Sequence, residues 1–223
     1  VVGTAAIAYG IWAGRERPRS YYALMLLLVA SLVGVFASQD LVLFYAFFEA
    51  MLIPIYLLVG VWGGPNRVKA TITFVIYTMA GSLLFLAAIV AFGLKHGTFD
   101  FFSADGYVQD SSDWMFLAFM AAFVVKAPLF PFHAWVPLTY REAPAEVAGV
   151  LSGVISKAAT YAFFYVVILR FPIQASDYRT PILVLASIGL IYGSILAFRA
   201  PDIRGVIAYS SLAQMSLITL GIF

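Results

Sequence analysis

The chain alternates long apolar runs with short polar or charged segments. Seven runs are long enough for a helix to cross a hydrocarbon core of about 30 Å, which takes about 20 residues. They cover 20–37, 41–62, 70–93, 114–137, 147–170, 181–198 and 205–223. Because these helices are apolar all round, periodicity cannot indicate a buried face, and run length and helix breakers define the spans. The pattern predicts seven membrane-crossing helices, preceded over 1–13 by the end of another.

Composition supports an all-α integral membrane protein and excludes several functions. Hydrophobic residues make up 63% of the chain and charged residues 11%. The mean hydropathy of +0.97 lies outside the range of soluble domains. The net charge of +2 is spread over loops, which leaves no basic surface for nucleic acid. With no cysteine, the chain cannot ligate iron–sulfur clusters or hold a thiolate metal site.

The basic residues divide unequally between the two sides of the predicted bundle. If the path alternates, the loops 14–19, 63–69, 138–146 and 199–204 share one side and hold eight basic residues. The other side holds three, namely Lys95, Arg170 and Arg179. By the positive-inside rule, the first side is cytoplasmic and the acidic loop over 94–113 is external. That loop contains Asp100, Asp105, Asp110 and Asp113.

Three charged residues then have no loop to occupy. Glu49, Lys126 and Lys157 each fall near the middle of a predicted span. A charge at the bilayer centre costs about 2.5–3.5 kcal/mol on insertion scales, so these side chains should face protein or water. Each of these charges could have a purely structural role, as part of an ion pair that holds helices together. However, one acid can pair with only one of the two lysines, so one lysine has no acidic partner at depth.

The segment after Lys126 predicts a broken helix. It reads APLFPFHAWVP, with prolines at 128, 131 and 137, and unwound backbone at membrane depth is tolerated only inside protein or beside a cavity. His133 lies two helical turns beyond Lys126 and would share its face in an unbroken helix. A packed polar side chain and a proton relay are both open interpretations of His133.

The remaining polar features lie on the second, fifth and seventh spans. Pro54 removes a backbone donor close to Glu49 and opens a polar site there. Lys157 is flanked by serines and a threonine, and the final span places Ser210, Ser211 and Gln214 on adjacent turns, where they could hold water or bond a neighbouring helix. A carboxylate beside a buried lysine favours the protonated, charged form of that lysine. If the carboxylate moved away, the lysine would release its proton, which suits transport.

Four segments together resemble one family. FYAFFEAMLIPIY, FVVKAPLFPFHAWVP, EAPAEVAGVLSGVISKAATY and IAYSSLAQM are similar to the antiporter-like, proton-translocating membrane subunits of respiratory complex I (NADH:quinone oxidoreductase), above all to the group called subunit M. The resemblance covers almost the whole chain from about Arg17 onward. It implies a polytopic bundle of inverted five-helix repeats with discontinuous helices.

The resemblance also implies domains and roles. Residues 1–19 would be the end of a preceding transmembrane helix and a cytoplasmic loop, 20–170 the first repeat, and 171–223 the truncated start of the second. Glu49 matches the glutamate that pairs with the channel lysine, Lys126 that lysine, Lys157 the central-axis lysine and His133 the histidine of the broken helix. Ser210, Ser211 and Gln214 would form a secondary relay.

The family further implies where the energy comes from. This chain would hold no cofactor or metal, while NADH, FMN, iron–sulfur clusters and quinone would be bound in partner subunits. Its partners would be the other membrane subunits of complex I, including neighbouring antiporter-like subunits, and the lipid bilayer. The expected location is the bacterial inner membrane, and the chain would be an enzyme only as a subunit of the quinone oxidoreductase.

The chain departs from the family pattern at two places, and other functions would share some of its features. Members commonly have Asp-Ala-His where this chain has Leu138, Thr139 and Tyr140, and commonly have His where it has Gln214, which cannot be protonated. A subunit of an Mrp-type Na⁺/H⁺ antiporter or of a membrane-bound hydrogenase would share the Glu and Lys pattern. A secondary carrier for an organic solute would need a polar pocket at mid-depth, and a purely structural subunit would need none of the three charges.

Overall fold

The computed structural model describes residues 1–103 and 106–223. Helices dominate it, with one small antiparallel hairpin of Phe102–Ser103 (β1) and Gly106–Tyr107 (β2). The helices are α1 Val2–Ala13, α2 Pro18–Ala37, α3 Leu41–Ala50, α4 Leu52–Trp62, α5 Arg67–His96, α6 Asp113–Lys126, α7 Trp135–Glu142, α8 Ala145–Val150, α9 Ser156–Ala162, α10 Pro172–Asp177, α11 Arg179–Arg199 and α12 Ile203–Ile222. Two π-helical segments, Leu151–Ile155 and Phe163–Ile168, flank α9.

Six helical stretches in the described ranges are long and apolar enough to cross a membrane. They are Pro18–Ala37, Leu41–Trp62, Arg67–His96, Ala145–Ile168, Arg179–Arg199 and Ile203–Ile222. Each corresponds to a span predicted from run length. The predicted all-α membrane fold is confirmed, whereas the division into repeats over 20–170 and 171–223 stays a prediction.

The predicted span 114–137 is the discontinuous one. Helix α6 ends at Lys126, turns occupy 127–134, and α7 begins at Trp135. Pro128 and Pro131 fall in this break, as expected for residues that cannot continue a helix. Pro137 does not break anything, because it lies in the first turn of α7, where a backbone N–H has no intrahelical acceptor. The prediction that a loop begins at 138 was therefore wrong, since α7 continues to Glu142.

The connections gather at two ends of the bundle. The basic end comprises 14–17, 63–66, 143–144 and 200–202, and the hairpin end comprises 38–40, 97–103, 106–112 and 169–171. At the basic end, Arg141 Nε donates to Asp202 Oδ2 at 3.0 Å and Gly64 N to Glu142 O at 2.9 Å. At the hairpin end, Asp110 N donates to Arg170 O at 2.8 Å. The contacts confirm the alternating path on which the loops were sorted.

Helix ends follow local chemistry. Asp40 and Asp202 cap α3 and α12, each accepting a backbone N–H from the first turn. Gly97 ends α5 with a φ of 69°, a left-handed conformation that glycine adopts without strain. Gly81 permits close approach of α5 and α6, since a Cβ there would lie 3.0 Å from the carbonyl oxygen of Ala121.

The acidic segment at the hairpin end is only partly a solvated loop. The Asp110 carboxylate is buried, with Oδ2 2.7 Å from both Lys95 Nζ and His96 Nε2. Burial acts to raise the pKa of Asp110, but hydrogen bonds from Lys95, Ser112 and His96 outweigh it and hold that pKa well below its usual range. Asp105 lies outside the described residues.

Candidate functional site

The strongest candidate site forms where α6 stops. Lys126 is the last residue of α6 and is 2% exposed. The unpaired carbonyl groups at a helix C-terminus carry partial negative charge, so this is a favourable place for an ammonium group. The broken helix thus puts the lysine at the only part of α6 whose backbone can help to hold its charge.

Glu49 and its neighbour Phe48 complete the site from α3. Lys126 Nζ lies 2.9 Å from Glu49 Oε1 and 2.8 Å from the carbonyl oxygen of Phe48. It also lies 3.4 Å from the centre of the Phe48 ring, within the range of a cation–π contact. The Glu49 side chain is 22% exposed, whereas that of Lys126 is 3% exposed. The structure therefore brings together the acid and the base that the sequence singled out.

A helix break also explains why a backbone oxygen is available. Helix α3 ends at Ala50 and α4 begins at Leu52, with a turn at Met51 between them. The Phe48 carbonyl lies in the last turn of α3, where carbonyl groups can accept other donors. Pro54 removes the backbone donor that would bind Ala50, so the carbonyl used by Lys126 is not the one that the proline frees.

Trp135 stabilises the break beneath Lys126. Its indole Nε1 donates to the carbonyl oxygen of Val125 at 2.9 Å, and its ring centre lies 5.1 Å from that of Phe74. Since Val125 is in the last turn of α6, this bond satisfies a carbonyl that has lost its helical donor. The tryptophan ties α7 to the end of α6 and positions Lys126.

Lys157 occupies a second, more open position. Its Nζ donates to the carbonyl oxygen of Ser152 at 2.6 Å, five residues earlier, within the π-helical segment. Ser156 Oγ donates to the carbonyl oxygen of Leu151 at 3.3 Å, also five residues earlier. π-Helical turns widen the backbone and are common at functional sites. In the part of the chain that the structure describes, no hydrogen bond or ion pair joins Lys157 to Lys126 or Glu49.

Four hydroxyl groups, from α7, the π-helical segment Leu151–Ile155, α9 and α12, meet at this position. Tyr140 Oη lies 3.5 Å from Ser156 Oγ, and Ser152 Oγ lies 2.7 Å from Ser211 Oγ. We call Tyr140, Ser152, Ser156 and Ser211 the hydroxyl cluster. Hydroxyls donate and accept at once, so such a cluster can pass a proton along hydrogen bonds. Tyr140 was noted in the sequence only as a departure from the family pattern, and its partners could not be identified without the fold.

The other predicted relay residues are not brought into this cluster. Ser210 Oγ donates to the carbonyl oxygen of Ile207 on its own helix at 3.1 Å. The Gln214 side chain is exposed on the surface of the bundle. His133 packs its ring against Phe130 and Tyr192, with ring centres 5.8 and 5.2 Å apart. Because residues 127–134 are unwound, His133 does not share a helical face with Lys126.

Arg170, which the charge count assigned to a loop, is buried, and so is Glu146 at the end of another predicted loop. Glu146 is 4% exposed at the start of α8 and accepts two bonds from Arg15, each 2.6 Å long, and one from the Tyr21 hydroxyl. Arg170 is 0% exposed, with its Cζ 5.0 Å from the ring centres of Phe92 and Phe101. Both residues lie at the ends of predicted spans, where the sequence alone does not show whether a neighbouring helix covers the charge. Their burial comes from tertiary packing.

The site contains acid, base and hydroxyl groups. Within residues 1–103 and 106–223, no group of three or more His, Asp or Glu side chains is arranged to hold a metal ion. What the site offers chemically is proton exchange: a paired lysine, a second lysine and a hydroxyl cluster.

Comparison with known proteins is consistent with these features. The family model described as "NADH:quinone oxidoreductase/Mrp antiporter, TM" matches residues 38–223. NADH-quinone oxidoreductase subunit M of Rhodobacter capsulatus is 39% identical over 95% of this chain and 44% of its own length. The chain therefore spans less than half the length of that curated relative.

Two solved structures share the fold. A chain of respiratory complex I from Thermus thermophilus matches with a TM-score of 0.88 and 35% identity, over 99% of this chain and 48% of that one. A chain of the Mrp complex from a Dietzia species matches with a TM-score of 0.81 over 99% of this chain and 42% of that one, at 23% identity. The latter identity is low, and that likeness shows the fold alone.

Proposed function

The chain belongs to the NADH:quinone oxidoreductase/Mrp antiporter membrane family, and we propose that it is part of a proton-translocating membrane subunit of NADH:quinone oxidoreductase. Its role would be to receive protons at Lys126 and pass them toward Lys157. Quinone reduction in partner subunits would supply the energy. Those subunits would hold NADH, FMN, iron–sulfur clusters and quinone.

The Lys126–Glu49 contact is the observation that supports this proposal best. At 2.9 Å and an effective dielectric constant of about 20, the two charges attract by about 6 kcal/mol. Moving one charge against about 100 mV costs about 2.3 kcal/mol. A change in this one contact is therefore comparable in size to the energy of moving a proton across the membrane, which suits a switch in the proton affinity of Lys126.

Lys157 and the hydroxyl cluster supply the next position for the proton. When Glu49 moves away, the Lys126 ammonium would give up a proton, and the Lys157 amine would accept one. Bridging water can transfer protons between groups that do not touch, as these two lysines do not. His133, with its ring beside the unwound segment, would be an accessory member of this route.

Orientation follows from the distribution of charge. The basic loops would face the cytoplasm and the 94–113 segment the outside of a bacterial inner membrane. Protons would then enter from the basic end. The remaining antiporter-like and other membrane subunits of the complex would be the partners within the bilayer.

A subunit of an Mrp-type antiporter is the strongest alternative, since it shares this fold. Sequence identity favours the oxidoreductase, at 39% and 35% for its members against 23% for the Mrp chain. Co-purification with flavin and iron–sulfur subunits would support our proposal, and their absence would support the antiporter. Uptake of an organic solute by the reconstituted protein alone would instead support a secondary carrier.

The decisive experiment removes each partner of the ion pair in the full-length subunit. Lys126→Ala and Glu49→Ala should each lower NADH-driven proton pumping by the assembled complex, by about 100-fold for the lysine, because a positioned proton donor is lost. Pumping is measured in sealed membrane vesicles with a pH-sensitive dye, and assembly is checked by NADH oxidation with an artificial acceptor. Intact pumping in both variants would contradict the proposal.

A further inference from the structure

A dense layer of phenylalanine side chains separates Lys126 from the hairpin end. Six rings from α3, α5, α6 and the segment before β1 form it, and each residue is 0% exposed. We call this set the phenylalanine layer; it consists of Phe44, Phe48, Phe85, Phe101, Phe119 and Phe123.

The rings of the layer are in mutual contact. The centre of Phe85 lies 4.8 Å from that of Phe119, 5.0 Å from Phe123, 6.2 Å from Phe44 and 6.3 Å from Phe48. These separations fall within the range of directly packed aromatic pairs. Phe85 is therefore the centre of the layer, and removing it would open a space between three helices.

The layer lies on one side of Lys126 only. Along α6, Phe119 and Phe123 come between Asp113 at the hairpin end and Lys126, which is about 20 Å away at 1.5 Å per residue. At its inner side, the ring of Phe48 touches Lys126 Nζ. Any direct path for a proton from the hairpin end to Lys126 along α6 would have to cross these rings.

A buried cation borders the layer at the hairpin end. Arg170 lies over the rings of Phe92 and Phe101, and its Nη1 donates to the carbonyl oxygen of Val166 at 3.3 Å. Its Nε and Nη2 atoms are buried and have no hydrogen-bond partner among the residues described. In that part of the chain, no ion pair neutralises the guanidinium.

Both features oppose proton passage. A proton moves along water or hydroxyl groups, and closely packed rings provide neither, since apolar constrictions exclude water. A fixed positive charge adds an electrostatic barrier to a second cation. We propose that the phenylalanine layer and Arg170 form a seal that closes the Lys126 site toward the hairpin end, so that protons reach this lysine only from the basic end or from Lys157.

The seal has a purpose only if the proposed function holds, but it is a property that can be measured by itself. A pump needs it because protons already moved to the outside would otherwise flow back through the hairpin end to Lys126 along the membrane potential. The test is passive proton permeability of the assembled complex, carrying the full-length subunit, in sealed vesicles without NADH. Pumping is measured with NADH and passive permeability without it. Failure of the proposed function would therefore appear as unchanged pumping in the ion-pair variants, and failure of the seal as unchanged permeability in the layer variants.

Phe85→Ser is the test variant, because it both opens space and introduces a hydroxyl group. Under an imposed membrane potential, it should raise passive proton influx by at least about tenfold, as a wetted constriction conducts. Phe74→Ser is the matched control: Phe74 is also on α5, is 2% exposed and packs against Trp135 on the other side of Lys126. Influx that is no higher in Phe85→Ser than in Phe74→Ser would overturn the seal.

Arg170→Gln separates the contribution of the cation. Combined with Phe85→Ser, it should raise the influx above that of Phe85→Ser alone, because the wetted path then loses its repelling charge. An unchanged influx would remove Arg170 from the seal.

A cysteine measurement serves if Phe85→Ser does not assemble. This chain has no cysteine, so Phe119→Cys introduces a single thiol into the layer. That thiol should not react with a membrane-impermeant thiol reagent, whereas Ser176→Cys, at an exposed position of α10 near the same end, should react readily. Equal reaction rates at the two positions would overturn the proposal.

Discussion

The two sides of the Lys126 level differ in chemistry although both are built from apolar helices. Toward the hairpin end lie the six rings of the phenylalanine layer, each fully buried. Toward the basic end and beside Lys157 lie the hydroxyl cluster and Trp135, whose polar atoms are hydrogen-bonded. One side excludes water and the other provides groups that can donate and accept protons.

This difference gives the site a direction. Lys126 has its ammonium group at the boundary, touching a ring of the layer and an acid on the same neighbouring helix. A proton held there is separated from the hairpin end but lies close to polar groups on the other side. If the proposed function holds, this asymmetry would let the Lys126 site open to a single side of the membrane.

Lys126→Arg should have the largest effect on this comparison. Arginine stays charged in proteins, so a site that must lose and regain a proton would stop working although its charge is kept. We expect NADH-driven pumping to fall about as far as in Lys126→Ala, measured with a pH-sensitive dye in sealed vesicles. Arg141→Lys, a reciprocal exchange at the basic end, is the control and should pump normally. Preserved pumping in Lys126→Arg would show that the boundary charge need not be released.

Tyr140→Phe tests the polar side with a smaller change. It removes one buried hydroxyl from the hydroxyl cluster and keeps the ring, so the helix packing should hold. Loss of a hydrogen bond of about 0.5–1.5 kcal/mol corresponds to a decrease of about 2- to 10-fold in pumping rate. Tyr56→Phe changes an exposed tyrosine and should have no effect. If both variants pump alike, proton transfer does not use this cluster.

Asp110→Asn should have the smallest effect on pumping, because it lies beyond the phenylalanine layer. It removes the charge that binds Lys95 and His96, and should lower the free energy of local opening of 106–112 by about 1–3 kcal/mol. Hydrogen exchange of these backbone amides measures that opening. Asp177→Asn, at an exposed position near the same end, is the control and should leave the exchange unchanged.

The pH dependence of that effect has a definite sign. The pKa of Asp110 is depressed in the folded chain, so its contribution is fully present above the unfolded pKa of about 3.9. The difference in exchange between the native chain and Asp110→Asn should stay constant from pH 8 to about pH 5, by the same linkage, and shrink at lower pH. A difference that disappears above pH 5 would point to another group.

Much of this organisation could be predicted because membranes impose simple rules. Run length placed six spans, the prolines after Lys126 predicted a broken helix, and counting charges by loop left Glu49, Lys126 and Lys157 at depth. Of these, the pairing of Glu49 with Lys126 is present as a contact of 2.9 Å. Placing a charge in the hydrocarbon core costs free energy, so charged residues are rare within apolar spans. The few that occur there can be recognised without a structure.

Other parts of the site could not be predicted. Glu146 and Arg170 lie at the ends of spans, where a sequence cannot distinguish a solvated charge from one covered by a neighbouring helix. Tyr140 required knowledge that α7 continues past Pro137 and meets the π-helical segment. Gln214, singled out in the sequence, is exposed on the described bundle and does not reach the hydroxyl cluster.

By itself, the sequence determined a membrane bundle, the approximate extent of six spans, the break after Lys126 and the charges at depth, because each depends on residues near one another in the chain and on the cost of polarity in lipid. Tertiary structure decided which of twenty phenylalanines form a water-excluding layer and which hydroxyls meet. In helices that are apolar on every side, nothing in the local pattern states which face meets which neighbour, and packing alone makes that choice.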